Sequence, residues 1–285
     1  MTRTRPLVSV IVATRDCDSL SLALRSIAQQ TVTDWECVIV DDYSTVPVSS
    51  DDVPDDPRFT VIRSEQWLGR AGARNYGIAQ TSAPLIAIQD ADDFSAPERL
   101  AQSIAFLDQH PEVVAVGGRL LSVWDDSWTT GPSWPSDPSV LRKEIRSGKM
   151  RVAHPTSMLR RDAVEAVGGY DRRLDRAEDW HLFARLLQEG ELANIDSTLI
   201  AYQHPSREPI GLYCHDFSER QAAKALLREG RSSRSLSVLA GAARYPIYAA
   251  KIARTRRPLA IGELPDWAHT FHASLKKRDL KRPQA

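Results

Sequence analysis

Apolar runs separated by acidic or turn-forming residues divide roughly the first 112 positions into alternating strand and helix patterns. Val8 to Thr14 is apolar except for Ser9 and the closing Thr14. Leu20, Leu24 and Ile27 then recur at helical spacing, with Asp16 or Asp18 placed to cap that helix. Trp35 to Val40 is a second strand pattern, ending in Asp41-Asp42-Tyr43-Ser44. The Pro-, Ser- and Asp-rich stretch from Val46 to Pro57 predicts an exposed loop. Phe59 to Arg63 predicts a short third strand, and Gly69 to Gln80 a helix carrying Arg70, Arg74 and Asn75. Leu85 to Gln89 is a buried-strand pattern, and Asp90-Ala91-Asp92-Asp93 follows it at once. Ser95 and Glu98 have capping-box spacing, with Pro97 in the first turn. Leu100, Ile104 and Leu107 give the next helix an apolar face, and His110-Pro111 ends it. This alternation predicts an α/β fold: a doubly wound, mostly parallel sheet with flanking helices and right-handed crossovers.

Past Val113 the pattern loosens. Val113 to Val123 predicts a strand with a break at Gly117-Gly118, and Ala153 to Leu159 another strand. Gly168-Gly169-Tyr170 reads as a turn. Asp175 and Glu178 then predict the cap of a helix lined by Trp180, Phe183, Ala184 and Leu187 and stopped by Gly190. Leu199 to His204 is a last strand. Trp124, Trp128 and Trp134 crowd the intervening segment, where they either stack on sugar faces or pack in the core.

Composition narrows the class. With 285 residues, 42% hydrophobic and 26% charged, the chain is long enough for one large domain or a domain with an appendage. Cys17, Cys37 and Cys214 have no metal or redox spacing, which points to a reducing cytoplasm. Leu7 to Ala13 is too short to span a membrane and reads as a strand rather than a signal peptide. The net charge of zero conceals a segregation: from Arg220 onward there are 15 Lys and Arg against 4 Asp and Glu. Residues 206–285 therefore predict a helical, basic C-terminal region. Ser235 to Ala253 mixes Leu236, Leu239, Ile247 and Ile252 with Arg244 and Lys251, which suits peripheral contact with the inner face of the cell membrane. A tail folded back on the acidic body, or a subunit contact, is the alternative. Nothing in this pattern predicts a nucleic-acid partner.

The chemistry concentrates at residues 90–93. Carboxylates held together on a short turn repel unless a cation joins them, and hard oxygen ligands suit Mg²⁺ or Mn²⁺ shared with a phosphate. A solvated acidic loop is the alternative. Ligands of open α/β sheets bind at such strand ends. Arg74 suits a pyrophosphate, because a guanidinium gives bidentate, charge-assisted contacts, and Arg70 repeats the idea more weakly.

Seven segments in order resemble glycosyltransferase family 2, the inverting transferases of GT-A fold. They are Val8-Ser-Val-Ile, Gln29-Gln30-Thr31, Val40-Asp41-Asp42-Tyr43-Ser44, Ala73-Arg74-Asn75-Tyr76-Gly77-Ile78, Asp90-Ala91-Asp92-Asp93, Gly168-Gly169-Tyr170 and Ala177-Glu178-Asp179-Trp180. The resemblance covers residues 1–205, with a nucleotide-binding half over about 1–112 and an acceptor half over about 113–205. It implies a nucleotide-sugar donor, UDP-linked by family habit, and a saccharide or lipid-linked saccharide acceptor, as in cell-surface or exopolysaccharide biosynthesis. It also implies that Asp92 holds Mn²⁺ or Mg²⁺ with Asp93 or Asp90 assisting, and that Asp90 meets ribose or sugar. Asp42 would accept a hydrogen bond from the uracil ring, with Thr14 on the neighbouring strand end. His204 resembles a late histidine that reaches the metal or diphosphate. Asp179 matches the family's catalytic base, and a place in the first helical turn would favour its ionised form. Two departures stand out: Arg15 and Asp16 replace an aromatic and an asparagine, with Arg15 still able to stack on the base of the nucleotide, and Trp67 or Leu68 stands where an asparagine is usual. A haloacid-dehalogenase-like phosphatase and a non-catalytic nucleotide-sugar-binding protein are the competing readings.

Overall fold

The computed structural model describes residues 5–124, 127–131, 133–204, 219–227 and 264–279. The first four strands are β1 (Val8–Thr14), β2 (Trp35–Asp41), β3 (Phe59–Arg63) and β4 (Leu85–Asp90). Between them lie helices α1 (Leu20–Ala28) and α2 (Gly69–Ala79). They pair in parallel in the order β3-β2-β1-β4, with Thr14 opposite Asp41 and Ala13 opposite Asp90. The acid-bearing ends of β2 and β4 thus flank the end of β1.

Beyond β4 the sheet becomes mixed. β5 (Phe94–Ser95), α3 (Arg99–Gln109), β6 (Val113–Val123), β7 (Trp128–Thr130), α4 (Pro138–Arg146), β8 (Met158–Arg160), α5 (Arg161–Ala166), α6 (Glu178–Leu186) and β9 (Glu191–Gln203) follow. The order continues β4-β8-β6-β9-β5, with β7 on β6. β8 runs antiparallel to β4 and β6, whereas β6 and β9 are parallel. The change of direction beside β4 leaves its C-terminal end open as a crevice.

Alternation explains how strands without polar positions fold as they do. Ile11, Val38, Val40, Ile86 and Ile88 face one core, which α2, α4 and α6 cover. Val8, Val10, Val12, Cys37, Ile39, Leu85 and Ala87 face the other, which α1 and α3 cover. A strand buried on both faces carries a continuous apolar run. α2 lies so close that a Cβ on Gly77 would stand 2.9 Å from a methyl of Ile11 and of Val40. Glycine is required there by contact, not by backbone angle. Helix 219–227, here α7, adds Ala222, Ala223 and Leu226 to the first core. Helix α8 (Asp266–Asp279) brings Trp267 and Phe271 against Phe94.

Several local expectations give way to longer-range partners. Asp16 does not cap α1; it accepts a hydrogen bond from the Thr45 amide, and the N-cap position is Ser19, whose hydroxyl makes no capping bond and donates to Gln203 instead. Ser95 and Glu98 form no capping box: Ser95 lies in β5, and its hydroxyl donates to Gln89 Oε1. Buried Arg99 donates to the same oxygen and to Ser95 Oγ, so this network fixes the turn after β4. Asp175 does not cap α6 either, whose N-cap is Ala177 at φ 60°. Gly117-Gly118 does not break β6; it permits register shifts against β9. The strand expected over Ala153 to Leu159 shrinks to β8, because His154–Thr156 forms a 3-10 turn. β9, in turn, starts eight residues before the expected Leu199.

Candidate active site

A cleft of about 640 Å³ opens across the ends of β1, β2 and β4. Thr14, Arg15, Asp42, Arg74, Asp90 and Asp92 all line it, so the structure gathers every residue expected to meet the nucleotide sugar. Asp42 is buried, and its two oxygens accept from the Leu68 and Gly69 amides at 2.7 and 3.0 Å. It thereby caps α2 from another strand; Oδ1 also accepts from the Ser64 hydroxyl at 3.4 Å, and Oδ2 retains acceptor capacity. Trp67, an aromatic not anticipated as a cleft residue, stands 61% exposed there, with the Arg15 guanidinium 5.4 Å from its ring centroid.

Arg74 does not present a free guanidinium. It is buried and donates to Asp90 Oδ1 at 2.9 Å and Glu178 Oε1 at 2.6 Å. Burial acts to weaken its charge, but Asp90 and Glu178 outweigh that and raise its pKa. Burial likewise pushes Asp90 up, while Arg74 more than offsets it and holds the carboxyl below its ordinary value. One buried cation thus bridges the part-buried Asp90 and the buried Glu178.

The neighbouring acids behave differently. Asp92 is exposed in the cleft and ion-pairs with no described residue; desolvation and Asp90 push its carboxyl up to about 6. Asp93 turns inward and is fully buried, its Oδ1 accepting from the Gln203 amide and its Oδ2 without a partner. Burial, then Asp92 and Asp90, raise it well above the carboxylate range. His204 bonds Ser122 Oγ and stacks on Trp124 at 4.5 Å, away from the cleft lining. Asp92, Asp93 and His204 therefore do not gather as ligands; among the described residues no three such groups form a cation site. The donor set at the cleft surface is Asp92 with Asp90 behind it. That fits Mg²⁺ or Mn²⁺, which take one or two carboxylates and complete their shell with water and substrate phosphate.

A second recess of about 280 Å³ adjoins the cleft and shares Arg70, Arg74, Asp90, Arg176 and Tyr202 with it. Asp179 lines this recess from the first turn of α6, its Oδ1 accepting from the Trp180 amide at 2.6 Å. The helix start does not keep it strongly ionised: burial, then Glu178, push its carboxyl up to about 7. His154 beside it is pushed down to about 3 by burial and then by Arg74, so it stays neutral. Trp134 lines the recess, whereas Trp128 packs edge-on against His272 of α8.

Three cationic or acidic participants were not apparent from sequence. Glu178 was assigned no role as partner to Arg74, and Arg172 and Arg176 join Arg70 around the cleft. The basic run Asp171-Arg-Arg-Leu-Asp-Arg176, directly before the Glu-Asp pair, was the available signal.

Replacing Arg74 by Met should destabilise the protein by about 3–5 kcal/mol, since it strands the buried Glu178 and leaves Asp90 without its cation. Urea unfolding followed by circular dichroism measures this; a loss below about 1 kcal/mol would show the acids to be compensated elsewhere.

The chain matches the model of glycosyl transferase family 2 over residues 9–168, more than half its length. A putative glycosyltransferase, EpsE of Bacillus subtilis, is 31% identical over 65% of this chain and 68% of its own. The succinoglycan biosynthesis protein ExoU of Rhizobium meliloti is 32% identical over 54% of this chain and 49% of its own. Among solved structures, residues 1–349 of S. aureus TarS in complex with UDP-GlcNAc superpose with a TM-score of 0.58 at 18% identity, covering 84% of this chain and 72% of that one. A mannosyltransferase from Pyrobaculum calidifontis, PcManGT, in complex with GDP-Man and Mn²⁺, gives 0.58 at 20% identity, covering 99% and 82%. The phosphatase alternative falls with this topology, since its acids belong on a first strand. By fold, motif order and family match, this chain belongs to glycosyl transferase family 2 and is a glycosyltransferase.

Proposed function

We propose that the chain transfers a sugar from a nucleotide diphosphate sugar, UDP-linked in preference, to a hydroxyl of a saccharide or lipid-linked saccharide, with inversion and dependence on Mn²⁺ or Mg²⁺. The observation that carries this reading is the pairing of two unequal carboxylates in joined cavities: Asp92 exposed in the cleft and Asp179 in the recess, the latter with a pKa near 7. Asp42, Thr14 and Arg15 would hold the nucleoside, Asp42 accepting from the base. Asp90 would hold ribose or sugar, and Arg70, Arg172 and Arg176 are better placed than Arg74 for the diphosphate. A divalent cation bound at Asp92 would supply charge neutralisation for the departing diphosphate.

In the transfer itself, the acceptor oxygen bonds to the anomeric carbon as the bond to the diphosphate oxygen breaks on the opposite face. Asp179 takes the hydroxyl proton. A carboxylate with a pKa near the working pH combines an ionised fraction with useful basicity. The acceptor is proposed to belong to cell-surface or exopolysaccharide synthesis, in keeping with the name of the succinoglycan relative. The working location is proposed to be the cytoplasm, with the basic C-terminal region touching the inner membrane face. No helix among the described residues is long and apolar enough to cross a membrane, and Ser235 to Ala253 lies outside the described residues.

Asp92→Asn should leave the circular dichroism spectrum unchanged and lower transfer by roughly 10²-fold or more. Calorimetry of UDP with and without Mn²⁺ checks the cause: Mn²⁺-dependent binding that survives in the variant refutes the assignment.

Asp179→Asn should preserve donor affinity and lower turnover by roughly 10²–10⁴-fold. In the unaltered enzyme the raised carboxyl must be ionised to act. Turnover should therefore fall as pH drops through about 7, about tenfold per pH unit below it. A turnover that stays flat from pH 8 to 5 contradicts the role of Asp179 as base.

For the C-terminal region, sedimentation with anionic vesicles at low salt should recover the full chain far better than a chain ending at residue 227. Each basic residue near an anionic leaflet adds about 1 kcal/mol. Equal recovery of the two removes the membrane proposal.

A further inference from the structure

The recess that holds Asp179 carries more positive charge than the donor reaction uses. Its ionisable lining is Arg70, Arg74, Arg176 and Arg220 against Asp90, Glu178 and Asp179. Arg74 is consumed by Asp90 and Glu178. Arg70 and Arg176 are shared with the donor cleft, where a diphosphate has first claim on them. Arg220 differs from both, because it lines the recess and not the donor cleft. It forms no ion pair with a described residue.

Arg220 is also held in place. It stands on α7, whose Ala222, Ala223 and Leu226 are buried in the core shared with α4 and α6. The adjacent Glu219 is buried and accepts from the Asp175 amide at 3.2 Å, tying the start of α7 to the loop that leads into Glu178 and Asp179. A guanidinium fixed by a packed helix loses little freedom on meeting a planar oxyanion and offers it two parallel donors. The segment that supplies it lies beyond the family-matched residues 9–168.

We propose that Arg220 recognises an oxyanion on the acceptor, a sugar carboxylate or a phosphoryl group, and makes this enzyme selective for anionic saccharide acceptors. This rests on the glycosyltransferase reading and deepens it. An acceptor lying in the recess presents its hydroxyl to Asp179 and its anion to Arg220. The same cation keeps that anion from adding to the repulsion that Glu178 already exerts on Asp179.

The test uses the fluorescently labelled full chain, saturated with UDP and Mn²⁺, on an array of neutral, uronate-bearing and phosphate-bearing oligosaccharides at 50 and 300 mM salt. Retention should favour anionic over matched neutral glycans by about five- to tenfold, and less at the higher salt. The uronate and phosphate sets separate the two anion sources. Arg220→Gln should bring the preference to about twofold or less, while its UDP affinity by calorimetry stays within about twofold of the unaltered protein. Preference for neutral glycans, no retention of anionic ones, or an unchanged preference in Arg220→Gln overturns the proposal. If UDP itself does not bind the unaltered protein, the nucleotide-sugar reading fails instead.

Discussion

One guanidinium between two carboxylates is the constraint to which the rest of the site answers. Arg74 leaves α2, meets Asp90 at the end of β4, and meets Glu178 at the start of α6. Arg74 and Glu178 lie out of water, where an isolated charge is costly and a matched set is tolerated, while Asp90 keeps one side toward the cleft. The parallel strands that carry the nucleotide end and the mixed part that carries Asp179 are thereby joined at the point of chemistry. Asn75, the next residue on α2, strengthens the joint: its amide donates to the Tyr170 carbonyl and its oxygen accepts from the Tyr170 amide, both at 2.8–2.9 Å. Gly169 beneath it has a φ of 68°, and a Cβ there would lie 2.6 Å from the Asn75 oxygen. The Gly-Gly-Tyr turn is therefore shaped to receive α2.

Given that joint, four nearby carboxyl groups separate into different states without any change of residue type. Arg74 holds Asp90 below its ordinary value, and burial raises Asp93 well above its own. Asp92 and Asp179 stand at about 6 and about 7, each pushed up by desolvation and by one acidic neighbour. Ionising either costs little near neutral pH, and a cation at the first or a proton at the second is easily accommodated. Backbone strain marks the same places. Asp16, Tyr43 and Ala177 adopt positive φ without being glycine, and each adjoins a lining residue: Arg15, Asp42 and Glu178.

What could be read from sequence follows the range of the forces involved. Periodicity located β1 to β4, α1 and α2 to within a residue or two, because burial on both faces of a sheet leaves a local imprint. Motif order likewise brought Asp42, Asp90, Asp92 and Asp179 to one connected cavity system. The use of Arg74 was not legible, since its partners lie 16 and 104 residues away. Caps failed for a related reason. Asp16 and Ser95 had suitable local spacing, but Thr45 engages the first from across the fold and Gln89, in the preceding strand, the second. His204 and Asp93 were placed correctly on their segments; the direction of their side chains depends on how β5 pairs with β9.

The order of the strands also sets a schedule for the growing chain. Residues 8–90 contain a complete parallel ladder of four strands, which a nascent chain can close by itself. The free edge of β4, by contrast, has to wait for Met158–Arg160, and Arg74 for Glu178, 104 residues further on. At about 5–20 residues per second of synthesis, that interval is roughly 5–20 s. For roughly 3–14 s of it, the time to make the 68 residues from Asp90 to Met158, an apolar strand edge and an acid-terminated β4 stand uncovered beside a half-matched guanidinium. An uncovered edge of this kind is a template for pairing with other chains. The period of greatest exposure to misassembly thus falls on the ribosome, before β8 is made, rather than in the finished enzyme.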